Sequence, residues 1–192
     1  SCLNTLGRRP MKHSPFFPQV ELLLRVLPFV AEEESFALKG GTAINLFVWD
    51  MPRLSVDIDL TYLPLKGRAE SIQEIGTAIR RIKQRIEAAI KSSKIVPISV
   101  SGTGAPTSFN GVQIKVEVNF VLRGSVFPVV SCDLCPAAQK EFGSLITLNT
   151  LSKADLYGGK ICDALDRQHP RDFFDVKLLL QGEGITEEVK TA

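Results

Sequence analysis

Between residues 69 and 91 an isoleucine returns every three or four positions, at Ile72, Ile75, Ile79, Ile82, Ile86 and Ile90. That period lays one apolar stripe along a helix. A second helical pattern runs over 17–34, with Val20, Leu23, Leu24, Leu27 and Val30 on one side. Pro28 is expected to kink that helix or end it early. Residues 36–39 read as a short strand, and T-A-I-N-L-F-V-W at 42–49 as an apolar helical run. Residues 55–63 alternate with a period of two, Val56, Ile58 and Leu60 sharing a face. Further strands are expected at 95–100, 112–122 and 126–131. The first two are joined by the Gly/Ser/Pro-rich stretch S-G-T-G-A-P-T-S-F-N-G, read as a long turn. Helices follow at 152–167 and 171–180, with a tight turn at Gln168-His169-Pro170, where Pro170 suits a first helical position. The tail, 181–192, reads as polar and frayed.

The elements sort into a mixed sheet core to about residue 133, followed by a mostly helical portion over 134–192. The predicted class is therefore mixed α/β, in the α+β sense, with helices flanking one sheet. A chain of 192 residues can bury a substantial core. No apolar stretch reaches the length of a membrane span, and the N-terminus lacks the pattern of a signal peptide. Four cysteines are too few for a disulfide scaffold in a chain of this size, so reduced thiols and a cytoplasmic location are expected. Cys132-x-x-Cys135 could be half of a zinc site or a redox pair, but no second C-x-x-C accompanies it.

The formal net charge is +2, so where the charge sits matters more than its sum. Eight basic and three acidic residues fall between Lys66 and Lys94. The basic side of that helix is either a solubilising face or a surface for nucleic acid.

One pattern does not belong in a half-buried strand. In S-V-D-I-D-L, Asp57 and Asp59 stand two apart and so share a face. Two close carboxylates repel, and each raises the other's affinity for a proton. A divalent cation or a strong base resolves the conflict, and Mg²⁺ is held in this way through carboxylates plus substrate phosphates. Upstream, Gly40-Gly41-Thr42 lies between a strand and a helix, where backbone N–H groups can meet a phosphate and Thr42 can cap the helix or bind a phosphate oxygen. In I-K-V-E-V-N-F, Glu117 shares a strand face with Lys115 and Asn119 and could supply a third carboxylate.

Taken together, G-G-T-A at 40–43, R-L-S-V-D-I-D-L at 53–60, the K-x-E of Lys115 and Glu117, and Y-G-G-K…R-D-F-F-D ending in Asp175 resemble the nucleotidyltransferase superfamily, in the branch of AbiEii/AbiGii-type toxins. The likeness spans roughly residues 36–180, with the motifs in order. It implies a nucleotidyltransferase core over 1–133, with 134–192 completing the cleft. It also implies transfer of a nucleoside monophosphate from an NTP, by the toxin of a toxin–antitoxin pair. On this resemblance Asp57, Asp59 and Glu117 would hold Mg²⁺, with Mn²⁺ as an alternative, and Glu117 would serve as ligand or base. Gly40, Gly41, Thr42, Arg53 and Ser55 would lie around the triphosphate, and Lys160 would bind it. Asp172 and Asp175 share a helix face and could orient Lys160 or Arg171, Asp172 being favoured for a direct role. The expected partners are an NTP, an RNA acceptor such as a tRNA 3′ end, and an antitoxin protein. Transfer to a protein or to a small molecule such as an aminoglycoside, and a non-catalytic nucleotide-binding module, are the competing readings.

Overall fold

The structure is a computed structural model that describes residues 13–90, 94–95, 105–109, 111–119 and 123–192. Its centre is a seven-stranded mixed sheet of order β3-β4-β5-β2-β1-β7-β6. The strands are β1 (Phe36–Lys39), β2 (Asp57–Tyr62), β3 (Lys94–Ile95), β4 (Ala105–Phe109), β5 (Val112–Asn119), β6 (Val130–Asp133) and β7 (Thr147–Thr150). β2 runs parallel to β5, β1 runs parallel to β7, and the remaining neighbours are antiparallel. The mixed α/β class therefore stands.

Two strands lie where none was expected. β4 falls inside the Gly/Ser/Pro-rich stretch read as a turn, and pairs with β5 from Ala105 to Phe109. β7 is T-L-N-T, too short and polar to announce itself, and is held between β1 and β6. It carries the sheet past residue 133 into the otherwise helical part. Residues 96–100 of the strand expected at 95–100 and 120–122 of the one expected at 112–122 lie outside the described residues, as do most of the N-terminal arm and Cys2.

Helix α1 (Phe17–Ala31) lies across β5, β2 and β7 and against α3 (Arg68–Ala89). Pro28 neither ends α1 nor cuts it short. It is exposed, while Leu27 and Val30 beside it are buried. The helix runs on to Ala31 because the packing of these residues anchors its last turn. Along α3 and its C-cap Ile90, five of the six striped isoleucines are buried, Ile72 being partly exposed. The frayed tail is also corrected, because α7 (Glu187–Thr191) forms there. The Thr186 hydroxyl accepts from the Val189 N–H at 3.3 Å, and Val189 is buried where α7 packs on α5 (Lys153–Arg167). α4 (Pro136–Phe142) and α6 (Pro170–Gln181) complete the set. No helix among the described residues is long and apolar enough to cross a membrane.

The basic side of α3 has a third role that the sequence reading did not weigh. Glu33, just beyond α1, is buried and accepts from Arg81 at 2.9 and 2.7 Å and from Arg85 at 2.7 Å. Arg85 also meets Glu32 at 2.9 Å. These arginines join α3 to α1. The hydrogen bond from Arg81 holds the Glu33 carboxyl below its ordinary value, against the effect of burial. The sign follows: this contribution to stability is present above the ordinary glutamate range and is lost as pH falls through the lowered folded value. Glu33→Ala is expected to lower the free energy of unfolding at pH 7 by about 1–3 kcal/mol, measured by urea denaturation. A loss within error would show that the cluster is decorative.

Candidate active site

The parallel pairing of β2 with β5 sets the geometry of the central face. In register, Asp57 lies beside Lys115 and Asp59 beside Glu117. On the other side, antiparallel β1 brings Lys39 opposite Asp59. The three expected carboxylates therefore occupy adjacent positions on neighbouring strands. Ile58 and Leu60, between and after the aspartates, go fully into the core. Glu117 is ion-paired to Lys115, which raises the lysine's proton affinity.

Burial, reinforced first by Asp57 and then by Glu117, pushes the Asp59 carboxyl up to about 6, although Lys39 and Lys160 pull the other way. The fit to a hard divalent cation rests on the two aspartates sharing one strand face, where burial and the charge of Asp57 disfavour the ionised form of Asp59. Among the described residues no three carboxylate, His or Cys side chains are gathered as a finished metal cage. Mg²⁺ does not need one, since one or two carboxylates plus phosphate and water oxygens satisfy it. Asp57 and Asp59 match that requirement.

The glycine turn lies directly over Asp59. Gly40 has φ +72°, and a Cβ there would come within 2.5 Å of Asp59 Oδ2. Backbone conformation and the neighbouring carboxylate both demand glycine. A Cβ on Gly41 would meet Arg53 Nη2 at 2.8 Å and Ser55 Oγ at 3.0 Å. Helix α2 (Gly40–Ala43) then opens into a wide π-type turn over Ile44–Val48, in which the Trp49 N–H reaches the Ile44 carbonyl at 2.9 Å. Thr42 is fully buried and donates to the Asp57 backbone carbonyl at 2.5 Å, so its hydroxyl fastens α2 to β2. Ser55 is also buried, beneath Gly41.

A second cluster adjoins the first. On α5, Lys160 is only 5% exposed, and its ammonium lies 2.8 Å from Asp172 Oδ1 and 3.7 Å from Asp175 Oδ2. Asp175 is wholly buried on α6. It accepts from Arg53 Nε at 2.9 Å and Arg53 Nη2 at 2.5 Å, a two-pronged pair. Asn45 Nδ2 adds a bond at 3.0 Å to Asp175 Oδ1. Asp172 thus orients Lys160, and Asp175 orients Arg53. Arg171 instead stacks over Phe16, with its guanidinium carbon 5.3 Å from the ring centroid.

Over residues 21–192 the chain matches the family model described as nucleotidyl transferase AbiEii toxin, type IV toxin–antitoxin system. The chain belongs to that family. No curated protein matches it. Among solved structures it is similar to MenT4, a nucleotidyltransferase toxin from Mycobacterium tuberculosis H37Rv, with a TM-score of 0.59 and 16% identity over 85% of this chain and 57% of that one. It therefore spans little more than half of MenT4. It is also similar to ANT(2″)-Ia, solved with adenylyl-2″-tobramycin, with a TM-score of 0.52 and 16% identity over 91% of this chain and 94% of that one. At this identity the likeness is one of fold.

Within this AbiEii-family site, sequence reasoning overlooked Lys39 and Asn45. Lys39 immediately precedes Gly40, and a base entering a phosphate-suited turn was a usable signal. Asn45 is the polar residue in the run A-I-N-L-F-V, where its neighbours are all apolar. The raised carboxyl yields a stability test. Asp59 shifts from an ordinary 3.8 to about 6, so the folded state binds that proton more tightly than the unfolded chain does. Metal-free protein therefore gains stability as pH falls from about 6 toward 4 and forgoes it at neutral pH. Asp59→Asn is expected to raise metal-free stability at pH 7 by up to about 3 kcal/mol and to flatten the pH dependence across that window. Equal stability of both proteins at every pH would contradict the assignment.

Proposed function

We propose that the protein transfers a nucleoside monophosphate from an NTP to a hydroxyl of an acceptor, an RNA end in the first place, as a cytoplasmic toxin countered by an antitoxin protein. The observation that carries this reading is the register of β2 on β5, which sets Asp57, Asp59 and Glu117 side by side beneath a glycine turn. Family membership supports the reaction class.

In this reading Asp57 and Asp59 hold the divalent cation, Mg²⁺ or Mn²⁺. When bound, the cation screens phosphate charge and aligns the α-phosphate for displacement. The open backbone at Gly40 and Gly41 admits the triphosphate close to Asp59. Thr42 keeps that turn against β2 through the Asp57 carbonyl, and Ser55 supports Gly41 from below. Lys160 and Arg53 present positive charge toward the phosphates, held in place by Asp172 and Asp175. Glu117 takes the proton of the acceptor hydroxyl. The hydroxyl oxygen forms a bond to the α-phosphorus, the bond from that phosphorus to the bridging oxygen breaks, and pyrophosphate leaves.

The RNA acceptor draws support from the open edge beside Asp172. Phe173 is 49% exposed there, and Arg167, itself exposed, is shared between Asp163 at 2.7 Å and Asp172 at 3.5 Å. Exposed aromatic and guanidinium groups are what unpaired bases and phosphates stack on and pair with. The α3 face supports it less, because Arg81 and Arg85 are tied to buried Glu33 and α3 carries no aromatic side chain. A small-molecule hydroxyl is the second reading, favoured by the likeness to ANT(2″)-Ia over nearly the whole of both chains.

Purified protein incubated with each radiolabelled NTP, Mg²⁺ and total cellular RNA is expected to label a discrete RNA band, and the Asp57→Ala/Asp59→Ala variant to label none. Label entering protein or a small molecule from added lysate would move the acceptor. Neither transfer nor NTP binding would leave a non-catalytic module. Lys160→Ala is expected to lower kcat/KM by roughly a hundred-fold, and an unchanged value would remove Lys160 from the site.

A further inference from the structure

Asn45 is completely buried in the π-type turn that follows the glycines. Its amide nitrogen donates in two directions, to the Gly41 carbonyl at 2.9 Å and to Asp175 Oδ1 at 3.0 Å. Both partners accept only, so the nitrogen must face them and the oxygen must face away. That oxygen, Oδ1, is the one buried side-chain polar atom without a hydrogen-bond partner among the described residues. A buried acceptor left unmet is unfavourable, and the two donated bonds offset it, since a leucine there would take a donor from both Gly41 and buried Asp175.

Those bonds join the two halves of the site. Gly41 belongs to the turn over Asp59, and Asp175 is the anchor of Arg53 and the near neighbour of Lys160. Arg53 itself lies under Gly41, close enough that a Cβ there would strike it. The polypeptide between Gly41 and Asp175 is long, and Asn45 spans the gap with a single side chain. The wide turn helps, since π-type turns place a residue off the regular helical spacing and recur at functional sites.

We infer that Asn45 is a positioning residue, fixing the spacing between the glycine turn and the Arg53–Asp175–Lys160 cluster so that one triphosphate can meet both. This rests on the nucleotidyltransferase reading above. Asn45 touches no reacting atom. Its effect runs through Gly41 and Asp175, and falls on nucleotide affinity more than on folding.

The test uses the full chain with Mg²⁺ and fluorescent mant-labelled NTPs. Asn45→Leu, which keeps the shape and removes the donor, is expected to unfold cooperatively yet bind nucleotide roughly ten- to hundred-fold more weakly, with KM raised more than kcat is lowered. Asn45→Ser retains one donor and is expected to recover part of the affinity. It also carries the test if the leucine variant does not fold. Hydrogen–deuterium exchange of residues 40–44 without ligand is expected to accelerate in both variants. Wild-type affinity and wild-type exchange in a folded variant would overturn the inference while leaving the proposed activity intact. If the unmutated protein binds no nucleotide, the proposed activity falls. The exchange measurement then decides by itself whether Asn45 ties the turn to the cluster.

Discussion

The buried carboxylate of Asp175 is the constraint around which this molecule is arranged. An ionised carboxylate without contact with water is costly unless its charge is matched and its lone pairs are met. Arg53 meets two of them with a planar fork, Asn45 meets a third, and the Lys160 ammonium stands 3.7 Å away. Each donor comes from a different element: the loop before β2, the turn after α2, and α5. Removing Arg53, the charged donor in direct contact, leaves the carboxylate with too little matching charge, whereas Asn45 supplies one neutral bond. The loop, the glycine turn and the two C-terminal helices are consequently held to one another by a polar joint as well as by packing.

That joint lies beside a face with the opposite problem. At Asp175 the charges are matched. At Asp57 and Asp59 they are matched less closely: Glu117 has Lys115 as its ion-pair partner, whereas burial and then the charge of Asp57 raise the Asp59 carboxyl. A matched cluster makes a rigid wall. An unmatched one makes a place where a cation lowers the energy of the whole face. The fold needs both, because an acidic face with nothing fixed around it would relax by turning its side chains to solvent. Glycine at position 40 prevents a side chain from filling the space above Asp59.

Much of this was legible in the chain. The alternation around Asp57 and Asp59 gave the strand and its polar face, because Ile58 and Leu60 alternate with them and go into the core. The isoleucine stripe gave α3 for the same reason. β4 and β7 were hidden because their stability comes from neighbours in space. Ala105–Phe109 is rich in turn-forming residues but pairs with β5, and T-L-N-T is ordered by its two flanking strands. Pro28 does not end α1 early, because Leu27 and Val30 hold the last turn by packing that local rules do not count. The ion-pair partners of Arg81 and Arg85 could not be read at all, since Glu33 lies about 50 residues away along the chain. Asp172 and Asp175 were recognised as a pair, but which base each one orients depends on how α5 and α6 cross.

The length of chain between Arg53 and Asp175, 122 residues, has a further meaning for synthesis. Translation proceeds from the N-terminus, so β1, β2 and the whole acidic face leave the ribosome well before α6 does. During that interval the guanidinium of Arg53 has no carboxylate fork to hold it, and Lys160 has neither of its aspartates on α6. A nascent chain can therefore fold its sheet without yet possessing a closed polar joint. The joint becomes complete only when nearly all of the family domain has emerged.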